Sequence, residues 1–184
     1  MRIVDSQNRL LAVFNLFEFS LDFPENRQTL KQLFLQAATK QDSDRDELPD
    51  DWEQIHFGNL AAAAQEDSDG DGQSNFTEFA FGTKPNDAKS VFHPALQFMT
   101  SGSEKTFAMQ FQRRAGSMLN FIVETSSDLK NWSSSSSDLA EITPHRLRYD
   151  GSGTLETGFN LTRTLAAQPN GFIRVRALPR LATP

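Results

Sequence analysis

Hydrophobic residues recur along this chain with two different periods, and the switches between them divide it into three parts. Arg2–Asp5 and Leu10–Phe14 read as strands across a Ser-Gln-Asn turn, and the phenylalanine-rich run through Phe23 keeps a β-like pattern. Residues 26–39 change to helical spacing, with Leu30, Leu33, Phe34 and Ala37 on one face. Two shorter helical stretches follow, each opening behind an acidic loop. Trp52, Ile55 and Leu60 share a face in the first, and Phe76, Phe79 and Ala80 share one in the second. The second stops at Gly82-Thr83-Lys84-Pro85, a helix end followed by a turn. Beyond about Phe92 the period becomes two. Phe107, Met109 and Phe111 alternate with polar neighbours, as do Phe121, Val123 and Thr125, while Phe172–Ala177 alternates with Arg174 and Arg176 turned outward. Turn sequences at Arg114–Ser117, Asp150–Gly153 and Pro169–Gly171 separate these runs, and Ser133–Ser137 reads as a flexible surface loop. Five to seven short strands over about 90 residues predict an antiparallel β-sandwich.

The expected fold class is therefore α+β, a short helical unit built on paired loops and followed by the β-sandwich. The expected divisions are residues 1–40 as N-terminal strands and helix at the end of an upstream domain, 41–88 as the loop–helix unit, and 89–184 as the β module. Each helix after a loop is too short to persist alone, so something must fix its start.

Charge changes this picture most between Asp42 and Glu78. That stretch holds twelve acidic residues against one basic one, Arg45, a net −11 in a chain of net −6, so the remainder is +5. Carboxylates this dense repel one another unless a cation sits among them. The second loop, Asp67-Ser-Asp69-Gly-Asp71-Gly72-Gln73-Ser-Asn75-Phe-Thr-Glu78, fits the twelve-residue calcium pattern D-x-D-x-D-G-x5-E at every defining position. Asp67, Asp69 and Asp71 alternate along a curling loop, and each offers an oxygen from a different direction. Gly72 permits the left-handed turn that brings the Gln73 carbonyl inward. Asn75 ligates directly or holds a water, and Glu78, one turn into the helix, gives both oxygens. Such an all-oxygen set suits Ca²⁺ over the smaller, more rigidly octahedral Mg²⁺.

The first loop lies 25 residues earlier. Asp42, Asp44, Asp46, Asp50 and Glu53 fill positions one, three, five, nine and twelve, and the Leu48 carbonyl falls at seven. Glu47 replaces the glycine at position six, and Arg45 replaces the glycine that the second loop has at position four. A non-glycine residue in a left-handed conformation costs on the order of 1 kcal/mol. The first site is therefore expected to be the weaker of two calcium sites, and chelation is expected to unfold the unit.

The stretch DSDRDELPDDWEQIHFGNLAAAAQEDSDGDGQSNFTEFAFGTKPND resembles the bacterial thrombospondin type 3-like calcium repeats, with Leu48-Pro49-Asp50, Trp52-Glu53, His56-Phe57-Gly58-Asn59-Leu60 and Gly82-Thr83-Lys84-Pro85 all matching. Glu47 and Arg45 depart from that pattern. Residues 105–177, through FQRRAG, FIVETSSDLKNW and FIRVRA, look like a β module near the C-termini of large surface or secreted bacterial proteins. These resemblances imply the C-terminal region of a large exported protein, secreted or on the cell surface. The N-terminus here lacks the basic, apolar, small-residue layout of a secretory signal, since Asp5 and Asn8 interrupt it. The expectation is that the signal lies upstream in a longer chain.

The leading functional expectation is a non-enzymatic structural or adhesive module whose calcium unit sets the geometry between domains. Its affinity would fall in the weak extracellular range of about 10⁻⁴–10⁻³ M or somewhat tighter. The expected partners are calcium together with other domains of the same chain, a surface protein or a glycan. Two alternatives stand beside it. Paired calcium loops also describe dockerin modules, although those generally end the loop with Asp where this chain has Glu53 and Glu78. Trp132, Tyr149 and Phe159 are candidates to stack on a sugar in a carbohydrate-binding β domain. Enzyme chemistry finds no anchor: His56, His93 and His145 are scattered, and neither a G-x-S-x-G turn nor a phosphate-binding glycine loop occurs. With a pI near 5.0, the arginine pairs of the β region read as solvated strand faces and not as a nucleic-acid surface. The chain has no cysteine and no apolar run long enough to span a membrane.

Overall fold

The computed structural model describes residues 2–4, 10–13, 24, 26–28, 30, 41–101, 104–115, 119–134, 139–148, 150, 152–161 and 171–179. Among them, antiparallel β-sheet dominates, with a few short helical stretches. Strands β1 (Arg2–Val4) and β2 (Leu10–Val13) pair antiparallel, as their pattern predicts. Residues 26–28 and 30 are helical. The remainder of the expected 26–39 helix lies outside the described residues, as does the phenylalanine-rich run 14–23.

Helices α1 (Asp50–His56) and α2 (Asn75–Phe81) follow the two acidic loops. Six strands come after them: β3 (Ala95–Ser101), β4 (Glu104–Arg114), β5 (Leu119–Ser126), β6 (Leu139–Leu147), β7 (Thr154–Leu161) and β8 (Phe172–Pro179). Four form a sheet in the order β3-β4-β7-β6, and β5 pairs with β8. Strand β4 buries Met109 and Phe111 on one face, and β5 buries Val123, which accounts for their alternation. No helix among the described residues is long and apolar enough to cross a membrane.

Phe81, at the end of α2, is where the helical segment and the strands meet. Its ring stacks on Phe92 at 3.8 Å and stands edge-on to Phe111 of β4 at 6.2 Å and Phe121 of β5 at 5.7 Å. One core cluster thus contains Leu48, Trp52, Phe76 and Phe79 together with Met109, Phe111, Val123 and Leu139. Trp52 of α1 packs edge-on against Phe79 of α2 at 5.5 Å, so the two predicted apolar faces do meet. Ile55 departs from that face, 54% exposed, and Leu60 lies beyond the end of α1. The helix ends at His56, and Trp52 and Glu53 take its inward face.

Polar contacts reinforce this junction. The Gln73 side-chain amide donates to the Phe92 carbonyl and accepts from the Phe92 N–H, both at 3.0 Å. Arg114, at the end of β4, donates from Nε to the Phe79 carbonyl at 2.8 Å, and its guanidinium lies over the Phe79 ring. Burial pushes Arg114 down to about 10, with Asp51 opposing that shift, so it stays cationic at neutral pH and suits the carbonyl-rich end of α2. Gly82 caps α2 in a left-handed conformation, φ 74°, pressed so closely on Thr154 of β7 that a Cβ there would collide with the threonine methyl.

Candidate metal centre

The second loop curls around its own first residue. The Asp67 carboxylate accepts the backbone N–H groups of Gly70 at 2.8 Å, Asp71 at 3.2 Å and Gly72 at 2.8 Å. Gly70 and Gly72 hold φ of 79° and 93°, which keeps those N–H groups pointing inward. The Gln73 N–H donates to Asp71 at 2.7 Å. Oxygens of Asp67, Asp69 and Asp71 are thereby gathered within 4.8 Å of one another. Ser74 then caps α2, accepting the Thr77 N–H at 3.2 Å. That cap places Glu78 in the first turn, facing the loop and fully buried.

The first loop repeats this architecture without its glycines. Arg45 and Glu47 occupy φ of 62° and 86°, the same left-handed region as Gly70 and Gly72. Asp42 accepts the N–H groups of Asp46 at 3.2 Å and Glu47 at 3.1 Å, and Asp46 accepts that of Leu48 at 2.8 Å. Asp42, Asp44 and Asp46 converge within 4.8 Å, and Glu53 is fully buried. Asp50, expected at position nine of the loop, bonds Ser43. Its carboxylate accepts both the Ser43 N–H at 2.7 Å and the Ser43 hydroxyl at 2.6 Å, tying the loop entry to the helix start. Its counterpart Asn75 is fully buried and donates from Nδ2 to the Ala63 carbonyl at 2.9 Å, leaving Oδ1 without a partner.

Each aspartate triad thus comes together as its spacing predicts, while Glu53 and Glu78 are not part of those 4.8 Å clusters. The glutamates are nevertheless within electrostatic reach. Burial pushes Glu78 up to about 8, with Asp69, Asp71 and Asp67 adding to the shift and the nearby Thr83 hydroxyl opposing it. Burial likewise pushes Glu53 up to about 7, followed by Asp46, Asp44, Asp50 and Asp42. Asp46 is also raised, again chiefly by burial. Asp67 moves the other way, since the N–H groups of Gly72, Gly70 and Asp71 favour its charged form.

Both carboxylate oxygens of Glu53 and of Glu78 are buried without a hydrogen-bond partner, and so is one oxygen each of Asp46, Asp69 and Asp71. Buried polar atoms ordinarily find partners, and buried carboxylates almost always do. Most of the unpartnered atoms in the loop–helix segment are carboxylate oxygens gathered in two places, and the amide oxygen of Asn75 joins those of the second loop. A hard cation taking six to eight oxygen ligands fits such a donor set, and a hydrogen-bond network does not account for it.

The residues proposed for sugar stacking are placed differently. Phe159 packs against the core, parallel to Phe111 at 6.3 Å. The Arg174 guanidinium covers a face of Trp132 at 3.9 Å while Arg174 and Arg176 both bond Glu124, and Tyr149 lies outside the described residues. Sequence reasoning missed Gln73 and Arg114 as residues that tie the loop–helix segment to the strands. No family model, curated protein or solved structure matches this chain.

Proposed function

We propose that residues 42–78 bind two calcium ions, and that the ions lock the loop–helix segment against a β-sandwich to make a rigid joint. In this reading the protein is a non-enzymatic structural or adhesive module of an exported bacterial protein. The sandwich would be formed by the β3-β4-β7-β6 sheet and the β5-β8 pair across the Phe81–Phe111–Phe121 cluster. The observation that carries the calcium reading is the pair of fully buried glutamates, Glu53 and Glu78, whose oxygens have no partner beside three converging aspartates.

Asp67, Asp69, Asp71, the Gln73 carbonyl, Asn75 and Glu78 would hold one ion. Asp42, Asp44, Asp46, the Leu48 carbonyl and Glu53 would hold the other, with Asp50 acting through Ser43 as a support for the loop. The ion supplies charge neutralisation and fixed geometry only. The assignment to an exported protein rests on the resemblance of Asp42–Asp87 to calcium repeats of such proteins. Calorimetric titration of the chelator-treated chain tests the metal. Two calcium ions should bind, the one at Asp67–Glu78 more tightly, with magnesium much weaker at both. Absence of binding at millimolar calcium would end the reading.

A further inference from the structure

We propose that the outer face of the four-stranded sheet carries a binding cleft for a uronic-acid sugar. The cleft measures about 610 Å³, within the size range of small-molecule sites. Gly158 of β7 makes its floor, standing in register between Gln110 of β4 and Ile142 of β6. A Cβ at Gly158 would come within 3.0 Å of the Ile142 side chain and the Met109 carbonyl, so the floor stays low only with glycine. Two residues along β7, on the same face, Gln112, Glu156 and Arg146 stand side by side on β4, β7 and β6. The segment Val91–His93 closes one side, with Phe92 held from behind by the Gln73 amide.

The lining has the chemistry of a hydroxyl-rich ligand bearing one negative charge. Two primary amides and a carboxylate present both donors and acceptors, which vicinal sugar hydroxyls can use in either sense. The Arg146 side chain is exposed and has no hydrogen bond or ion pair among the described residues. Arg148, which also lines the cleft, is engaged by Asp150 at 2.6 Å. Arg146 therefore remains to meet a carboxylate with its planar fork. A neutral sugar would leave that cation facing only its register neighbour Glu156, with which it makes no ion pair, and a polyanion would meet Glu156.

The test is a calorimetric titration of the full chain with a galacturonate disaccharide, alongside the neutral galactose disaccharide and sodium sulfate. The uronate should bind, and the neutral sugar should bind at least about tenfold more weakly, as expected for loss of a charged hydrogen bond. Arg146→Met should weaken uronate binding by about tenfold, and Gln112→Leu should weaken both sugars, with the far-UV circular dichroism unchanged. No uronate binding at millimolar concentration, equal binding to the Arg146→Met protein, or displacement by sulfate at equal concentration would each overturn the proposal. It stands apart from the calcium reading: calcium heats without uronate heats would remove this inference alone.

Discussion

A fully buried carboxylate with no hydrogen-bond partner opposes folding, and in the metal-free protein Glu78 does so beside three aspartates. Glu78→Gln should therefore act in opposite directions with and without metal. The metal-free variant should be more stable than the parent by about 1–3 kcal/mol, and its response to calcium at the second site should vanish. Parallel chemical denaturation with chelator and with calcium checks both halves. The same groups set the pH dependence. Glu53 and Glu78 titrate near 7 and 8 in the metal-free fold, above their ordinary value near 4.5. The native state then holds more protons than the unfolded chain, so their contribution is fully present in acid and is lost as pH rises through 7 and 8. His56 works in the other sense. Burial, with Arg114 and Lys84, pushes it down to about 4, so its contribution is present above 6.5 and is lost as pH falls towards 4. Of these three groups the two glutamates dominate between pH 6.5 and 8, and the metal-free melting temperature should fall across that window. With calcium bound the glutamates are ionised in the native state and the fall should disappear. Proton release on calcium binding at pH 7, measured in buffers of different ionisation enthalpy, checks the same point.

The two loops show what local spacing can and cannot convey. Asp67, Asp69 and Asp71 were legible as a cluster because a loop curled on Gly70 and Gly72 brings alternate residues to one centre. The first loop was legible too, including its defect, since Arg45 and Glu47 do take the left-handed conformations that glycine would favour. Replacing them with glycine should relieve about 1 kcal/mol at each position, offset in part by the greater freedom of the unfolded chain. The Arg45→Gly/Glu47→Gly protein should bind calcium at its first site with an affinity nearer that of the second. Single-site titrations with and without the glycine pair in a Glu78→Gln background, set against the second site of the parent, would show it. The contact between Asp50 and Ser43, seven residues apart, was not legible, because loop spacing marks ligand positions and not the bonds that brace them. Ile55 was misplaced for a related reason. Within α1 the inward face is taken by Trp52 and the buried Glu53, which turns Ile55 outward, and Leu60 lies beyond the helix end at His56.

At the scale of the molecule, the strand alternation gave the antiparallel β-rich character and the six strands after the acidic region. It could not give the junction. Gln73 meets Phe92 across 19 residues and Arg114 meets Phe79 across 35, and nothing in local periodicity marks either pair. These contacts place the loop–helix segment and the strands around one core cluster, so metal in the loops should be felt in the sheets. The chain has two tryptophans, and Trp132→Phe would leave Trp52 as a reporter on α1. Thermal unfolding of that variant, followed both by Trp52 fluorescence and by the β-sheet signal in circular dichroism, tests the central claim most directly. With calcium at about a hundred times its dissociation constant, each bound ion should add about 2.7 kcal/mol. Both signals should then melt together at a higher temperature than in chelator. A β-sheet transition that ignores calcium while Trp52 responds, or two signals that both ignore it, would contradict the account.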